Sequence, residues 1–156
     1  MIIISHRGFL DGNNPKEENN PAQIDKCINS SLNVEIDVWY ENQILYLGHN
    51  YPVHKISFQW LEDRSNFLWV HCKNLAALDF FVNRKSNLNF FFHNNDDYVL
   101  TSHNFIWTFP NLPITNNCVI VSLDLNNISV LLKKDTQPFG ICTDYPIELK
   151  RAIQVN

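Results

Sequence analysis

Apolar and polar positions along the chain change period several times, and each change marks an element. The first apolar run, Ile2 to Ser5, is short and β-branched and halts at His6-Arg7-Gly8, which predicts a buried strand running into a loop. Asn20-Pro21 then carries a helix-start signature, with Ile24, Cys27 and Ile28 at helical spacing behind it. From Asn33 to Tyr40 the period drops to two: Val34, Ile36 and Val38 share one face, and Glu35, Asp37 and Trp39 share the other. A polar turn, Glu41-Asn42-Gln43, leads into a second short strand, Ile44 to Leu47, which delivers Gly48-His49-Asn50 and is placed to pair as a hairpin.

Ser57 is expected to cap a helix through Phe58, Leu61 and Glu62, with Asn66 closing it before a strand from Phe67 to Cys72. In that strand Trp69, His71 and Lys73 alternate with Val70 and Cys72. Asn74 caps a further helix whose Leu75, Leu78 and Val82 form one stripe. Short strands follow at Leu88 to His93, Tyr98 to Thr101, Phe105 to Phe109, Cys118 to Leu123 and Phe139 to Cys142, before a terminal helix from Ile147. This alternation predicts an α/β chain with a parallel sheet, open or closed. In such sheets the chemistry gathers at the carboxyl ends of the strands, and His6, Asp37, His49, Lys73, His93 and Asp144 all fall at or just past predicted strand ends.

With 156 residues, 45% of them hydrophobic, the chain is expected to be one domain spanning 1–156. Twelve basic against sixteen acidic side chains give a net charge of -4 with no basic stripe, so nucleic acid is not an expected partner. Cys27, Cys72, Cys118 and Cys142 are scattered in apolar stretches without CxxC spacing and read as buried free thiols. No run approaches the roughly 20 apolar residues of a membrane span. The immediate entry into Ile2-Ile3-Ile4 leaves no signal peptide to read, so a reducing cytoplasm is the expected location. The frequent Asn pairs mark turns.

Glu35 and Asp37, two residues apart on one strand face, can reach a single hard cation, although a solvated face has the same pattern. His6, Arg7 and Gly8 offer a proton-transfer group, an anion-binding guanidinium and a flexible backbone in succession, and His49 adds a second imidazole. Lys73 on a core strand calls for an anion, either a phosphate or the two carboxylates. His93 and His103 read as structural or exposed, and His54 as a loop residue. No Gly-rich phosphate loop, HExxH helix or GxSxG elbow is present.

In order along the chain, His6-Arg7-Gly8, Glu18-Asn19-Asn20, Glu35-Ile36-Asp37-Val38, Gly48-His49-Asn50 and Gly140-Ile141-Cys142-Thr143-Asp144-Tyr145-Pro146 resemble the motifs of the glycerophosphodiester phosphodiesterase family, within the phosphatidylinositol phospholipase C-like group. The resemblance implies a compact, incomplete TIM-like (β/α) barrel and a role in lipid metabolism. It implies metal-assisted hydrolysis of a small phosphodiester with His6 and His49 as the acid–base pair. Arg7 and Lys73 would hold the phosphate, and Glu35 and Asp37 the divalent metal, with Mg²⁺ or Ca²⁺ first and Mn²⁺ or Zn²⁺ as alternatives.

Two departures matter. His71 stands where the family has a third acidic ligand, which lowers the negative charge and suits borderline metals, and the family's HD is here His49-Asn50. The family is also longer, so elements are expected to be missing from the second half, leaving a more open pocket and raising the question of a homodimer. A phosphate- or headgroup-binding module with weak catalysis remains an alternative, as does a transferase or lyase acting on a phosphorylated sugar or polymer.

Overall fold

A computed structural model describes residues 1–124 and 136–154. Among the described residues ten strands form one curled sheet. The first half alternates as its sequence demands: β1 (Ile2–His6), α1 (Pro21–Asn29), β2 (Asn33–Glu41), β3 (Ile44–Leu47), β4 (His54–Ile56), α2 (Phe58–Glu62), β5 (Leu68–Cys72) and α3 (Leu75–Val82). The second half is strand-rich: β6 (Asn89–Phe91), β7 (Tyr98–Leu100), β8 (Ile106–Thr108), β9 (Cys118–Val121) and β10 (Gly140–Thr143), closed by α4 (Pro146–Gln154). Among the described residues no helix falls between α3 and α4.

Parallel pairing runs β6-β5-β2-β1-β10-β9-β8, while β3, β4 and β7 add antiparallel pairs at the margins. The result is a mixed α/β fold, a partial TIM-like barrel. Its two ends, β6 and β8, share no ladder among the described residues. They are tied instead by Ser102, whose N–H donates to Phe90 O at 2.8 Å and whose Oγ accepts from Phe90 N at 2.9 Å. Ring contact of Phe91 with Trp107, centroids 4.6 Å apart, packs the same seam.

Two apolar layers follow from the two-residue period. Val34, Ile36, Val38, Leu68, Val70 and Cys72 face outward against Ile24 and Cys27 of α1, Leu61 of α2 and Ala77 and Phe81 of α3. Ile4, Trp69, Phe91, Trp107, Val119, Val121 and Cys142 fill the interior. A fully buried side chain of this size contributes about 1.5–3 kcal/mol, so these layers fix which strand positions face inward.

Several boundaries and faces differ from expectation. Helix α3 does not bury a Leu75/Leu78/Val82 stripe: Leu75 and Val82 are exposed, and Ala77 and Phe81 are buried, because Phe81 has the bulk to reach across to β5 and β6. His54 opens strand β4 rather than lying in a loop, pairing with Leu47. The caps behave as the sequence indicated: Asn20, Ser57 and Asn74 side chains accept from the backbone N–H of Ala22, Trp60 and Ala77. All four cysteines are buried and free. Among the described residues no helix is long and apolar enough to cross a membrane.

Candidate functional site

Inward positions at the carboxyl ends of the strands surround a cavity of about 260 Å³, whose lining includes His6, Arg7, Glu35, His49, His71, Lys73 and His93. Strand register brings them there. His6 on β1 stands level with Glu35 on β2, and Asp37 on β2 level with His71 on β5. Asp37 itself is fully buried and joins the group through its neighbours.

The Asp37 carboxylate is met from four directions. Oδ1 accepts from His71 Nδ1 at 3.0 Å and faces Lys73 Nζ at 3.3 Å; Oδ2 accepts from Asn19 Nδ2 at 2.9 Å and faces Arg7 Nε at 3.4 Å. Burial works to raise its pKa, but the His71 hydrogen bond and the charges of His71, Lys73 and Arg7 outweigh it and hold the carboxyl well below the usual range. Glu35 goes the other way: burial, reinforced by the nearby Asp37 charge, pushes its pKa up. Two carboxylates on one strand face thus have opposite proton affinities, set by how many donors reach each.

Arg7 has a left-handed backbone, φ 52°, which lets its N–H donate to Glu35 Oε2 at 3.2 Å while its carbonyl accepts from Asn19 N at 2.8 Å. Its guanidinium reaches Glu18 Oε1 at 2.7 Å, and the same oxygen lies 3.8 Å from His49 Nδ1. The loop bearing His49 is anchored by Trp39 Nε1 donating to Gly48 O at 2.6 Å and by Gly48 N donating to Asp37 O at 3.1 Å. Gly48 has φ 151°, and a Cβ there would run into the carbonyl of Tyr51, so the turn that presents His49 needs glycine. Burial lowers the His49 pKa and favours its neutral form.

His6 is held by Asp144, whose Oδ1 accepts from Nδ1–H at 2.6 Å. That fixes one ring nitrogen and leaves Nε2 to take or give a proton.

Sequence reasoning assigned no role to Asp144, Asn19 or Glu18, although all three lie in the quoted motifs. It also set His93 aside, yet that ring stacks on His71 at 4.3 Å and lines the cavity. Burial, with the His71 charge second, lowers the His93 pKa to about 4. The readable signal was parity, since His93 lies two positions beyond the inward-facing Phe91.

Ligand atoms of Glu35, Asp37 and His71 all lie within 4.8 Å of one another. Donors held at about 2.1 Å from one ion sit roughly 3–4 Å apart, and the His71 Nδ1 separations of 3.0 Å to Asp37 and 3.8 Å to Glu35 match that span. Two carboxylates and an imidazole therefore fit a divalent cation. Occupancy would require His71 Nδ1 to release its proton and its hydrogen bond to Asp37.

No protein-family model matches the chain, and no curated protein sequence matches it. Among solved structures it is similar to the crystal structure of a glycerophosphodiester phosphodiesterase from Agrobacterium tumefaciens str. C58, with a TM-score of 0.56 over 100% of both chains and 14% sequence identity. At that identity the likeness is one of fold.

Proposed function

We propose that the protein is a metal-assisted phosphodiester hydrolase, its 156 residues acting as one domain. The observation that carries this reading is the meeting, around one cavity, of the Glu35/Asp37/His71 cluster, the cations Arg7 and Lys73, and a histidine fixed by a carboxylate. The fold likeness to a glycerophosphodiester phosphodiesterase supports it, and a glycerophosphodiester-like substrate is the first candidate.

Arg7 and Lys73 hold the phosphate oxygens. One of His6 and His49 takes a proton from water as the water oxygen forms its bond to phosphorus. The other protonates the alkoxide as the P–O bond to that alcohol breaks, giving a phosphomonoester and an alcohol. A divalent cation held by Glu35, Asp37 and His71 would supply electrostatic neutralisation of the phosphate. His71 in place of a carboxylate favours Mn²⁺ or Zn²⁺ over Ca²⁺.

The test is hydrolysis of bis(p-nitrophenyl) phosphate and glycerophosphocholine with Mg²⁺, Ca²⁺, Mn²⁺ or Zn²⁺, for the wild type and for His6→Ala and His49→Ala. Loss of turnover in both variants is expected; turnover unaffected by either removes the acid–base assignment.

One observation favours a second reading, a phosphate- or headgroup-binding module: Asp37 is already compensated by His71, Lys73 and Arg7. Phosphate binding without hydrolysis under any of the four metals would decide for it.

A further inference from the structure

The inward face of the sheet has a second end. The parity that sets Asp37, His71 and His93 at the carboxyl ends places Asn33 on β2, Trp69 on β5, Asn89 on β6 and Phe105 just before β8 around a separate cavity of about 430 Å³. It shares no lining residue with the cavity of His6 and His49, and Ile4 and Phe91 of the interior core lie between the two along β1 and β6. Asn33 Oδ1 accepts from Trp69 Nε1 at 3.2 Å, and Asn89 Oδ1 accepts from His103 N at 3.3 Å. Both carboxamides are thereby fixed with their Nδ2 groups as donors, and neither Nδ2 has a partner among the described residues, although Asn89 is only 5% exposed. The aromatic side is Phe105, with ring centroids 5.3 Å from Trp69 and 4.2 Å from Phe139. Ser65 and Asn66 from the α2–β5 connection, Asn87 before β6 and His103 between β7 and β8 complete a polar rim. Among the described residues no Asp, Glu, Lys or Arg lines this cavity.

We propose that this amino-terminal mouth binds a neutral saccharide, with one pyranose ring against Phe105 and Phe139 and its hydroxyls bonded to Asn33 and Asn89. The site is separate from the phosphodiesterase reading and stands or falls without it. Its volume lies within the usual range for small-molecule sites. A charged ligand would give up water without meeting a counter-charge, and an apolar one would strip water from the two Nδ2 groups and replace it with nothing. Hydroxyls do neither. They accept from Asn33 and Asn89 Nδ2 and donate to Ser65 Oγ or to the carboxamide oxygens of Asn66 and Asn87. The ring C–H groups of a sugar, polarised by the neighbouring oxygens, suit the negative faces of aromatic rings. The polar groups also come from several separate connections around the mouth, which matches hydroxyls radiating from a ring better than the single polar edge of a flat heterocycle. In parallel barrels the reacting groups stand at the opposite end, so this site holds its ligand without transforming it.

The experiment is saturation-transfer NMR with titration of glucose, galactose, mannose and N-acetylglucosamine, and of maltotetraose and chitotetraose to separate a free sugar from a glycan chain, with adenosine as the flat-heterocycle control. Saturable binding of at least one sugar is expected, with transfer strongest to its ring C–H protons. Affinity should fall by about tenfold in Asn89→Ala, the equivalent of one hydrogen bond, and severalfold in the rim variants Asn66→Ala and His103→Ala, whose exposed side chains leave folding intact by circular dichroism. His6→Ala should bind the sugar as the wild type does. Absence of saturable binding for all six sugars overturns the inference, as does binding that the folded Asn66→Ala and His103→Ala variants leave unchanged, binding lost in His6→Ala, or adenosine binding more tightly than every sugar. Each of these outcomes is read without turnover and leaves the phosphodiesterase reading where it stood.

Discussion

His6 and Asp144 are 138 positions apart in the chain, and Nδ1 of one lies 2.6 Å from Oδ1 of the other. Parallel pairing of β1 with β10, with Ser5 level with Thr143, brings them together one residue beyond the ladder. The carboxylate holds the ring in one orientation and leaves Nε2 as the nitrogen that can exchange a proton. Asp144→Asn is expected to lower kcat by roughly 10²-fold, the lower end of what a positioned acid–base group supplies, with KM little changed. An unaltered kcat would leave Asp144 a purely structural partner.

His71 decides the charge of the cation cluster. Replacing it by glutamate adds a third carboxylate, so His71→Glu is expected to raise Ca²⁺ affinity by about tenfold or more and to lower preference for Zn²⁺. Calorimetry in buffers of different ionisation enthalpy should also show a proton released on metal binding to the wild type near neutral pH, because burial and the Asp37 charge push the Glu35 pKa up and a bound cation takes the carboxylate form. Equal Ca²⁺ affinities for the two proteins would place the cation elsewhere.

Asn19 is fully buried and makes two hydrogen bonds with Asp37, from its Nδ2 to Oδ2 and to its Oδ1 from the backbone N–H, both at 2.9 Å. Its backbone has φ 54°, a conformation that Asn tolerates and Ala resists. Asn19→Ala is expected to destabilise by about 2–4 kcal/mol, from unsatisfied buried groups and backbone strain together. Asn19→Gly loses the bonds without the strain and should be the milder of the two in urea unfolding.

Burial keeps His93 neutral in the folded protein, with its pKa lowered to about 4. The unfolded chain binds the proton more readily, so stability from this residue is present above about pH 6.5 and is lost as the pH falls from there towards 4. His93→Phe keeps a ring against His71 but cannot titrate. Its unfolding midpoint is expected to depend less on pH across that window, and an unchanged dependence would assign the acid sensitivity to another group.

Much of the site was legible because its residues obey a local rule. Inward and outward positions alternate along a strand, so Glu35 with Asp37 and His71 with Lys73 could be paired by counting. The stripe on α3 was misread for the complementary reason. Its sequence, LAALDFFV, is apolar on most faces, and only the surface it packs against selects Ala77 and Phe81 over Leu75 and Val82. His93 was passed over although its parity with Phe91 was readable, because the ring it stacks on, His71, belongs to another strand.

The sequence by itself determined which side chains share a face of a strand, which Asn and Ser residues cap helices, and that His6, His49 and Lys73 stand at or just past strand ends. These are consequences of backbone geometry over a few residues. Tertiary structure alone decided that β10 lies beside β1 and so that Asp144 holds His6. It also decided that Asn19 secures Asp37, that His93 stacks on His71, and that Phe109 and Leu123 line the same cavity as the charges. Strand order and register depend on how the whole chain closes its core, and no spacing within one segment encodes that.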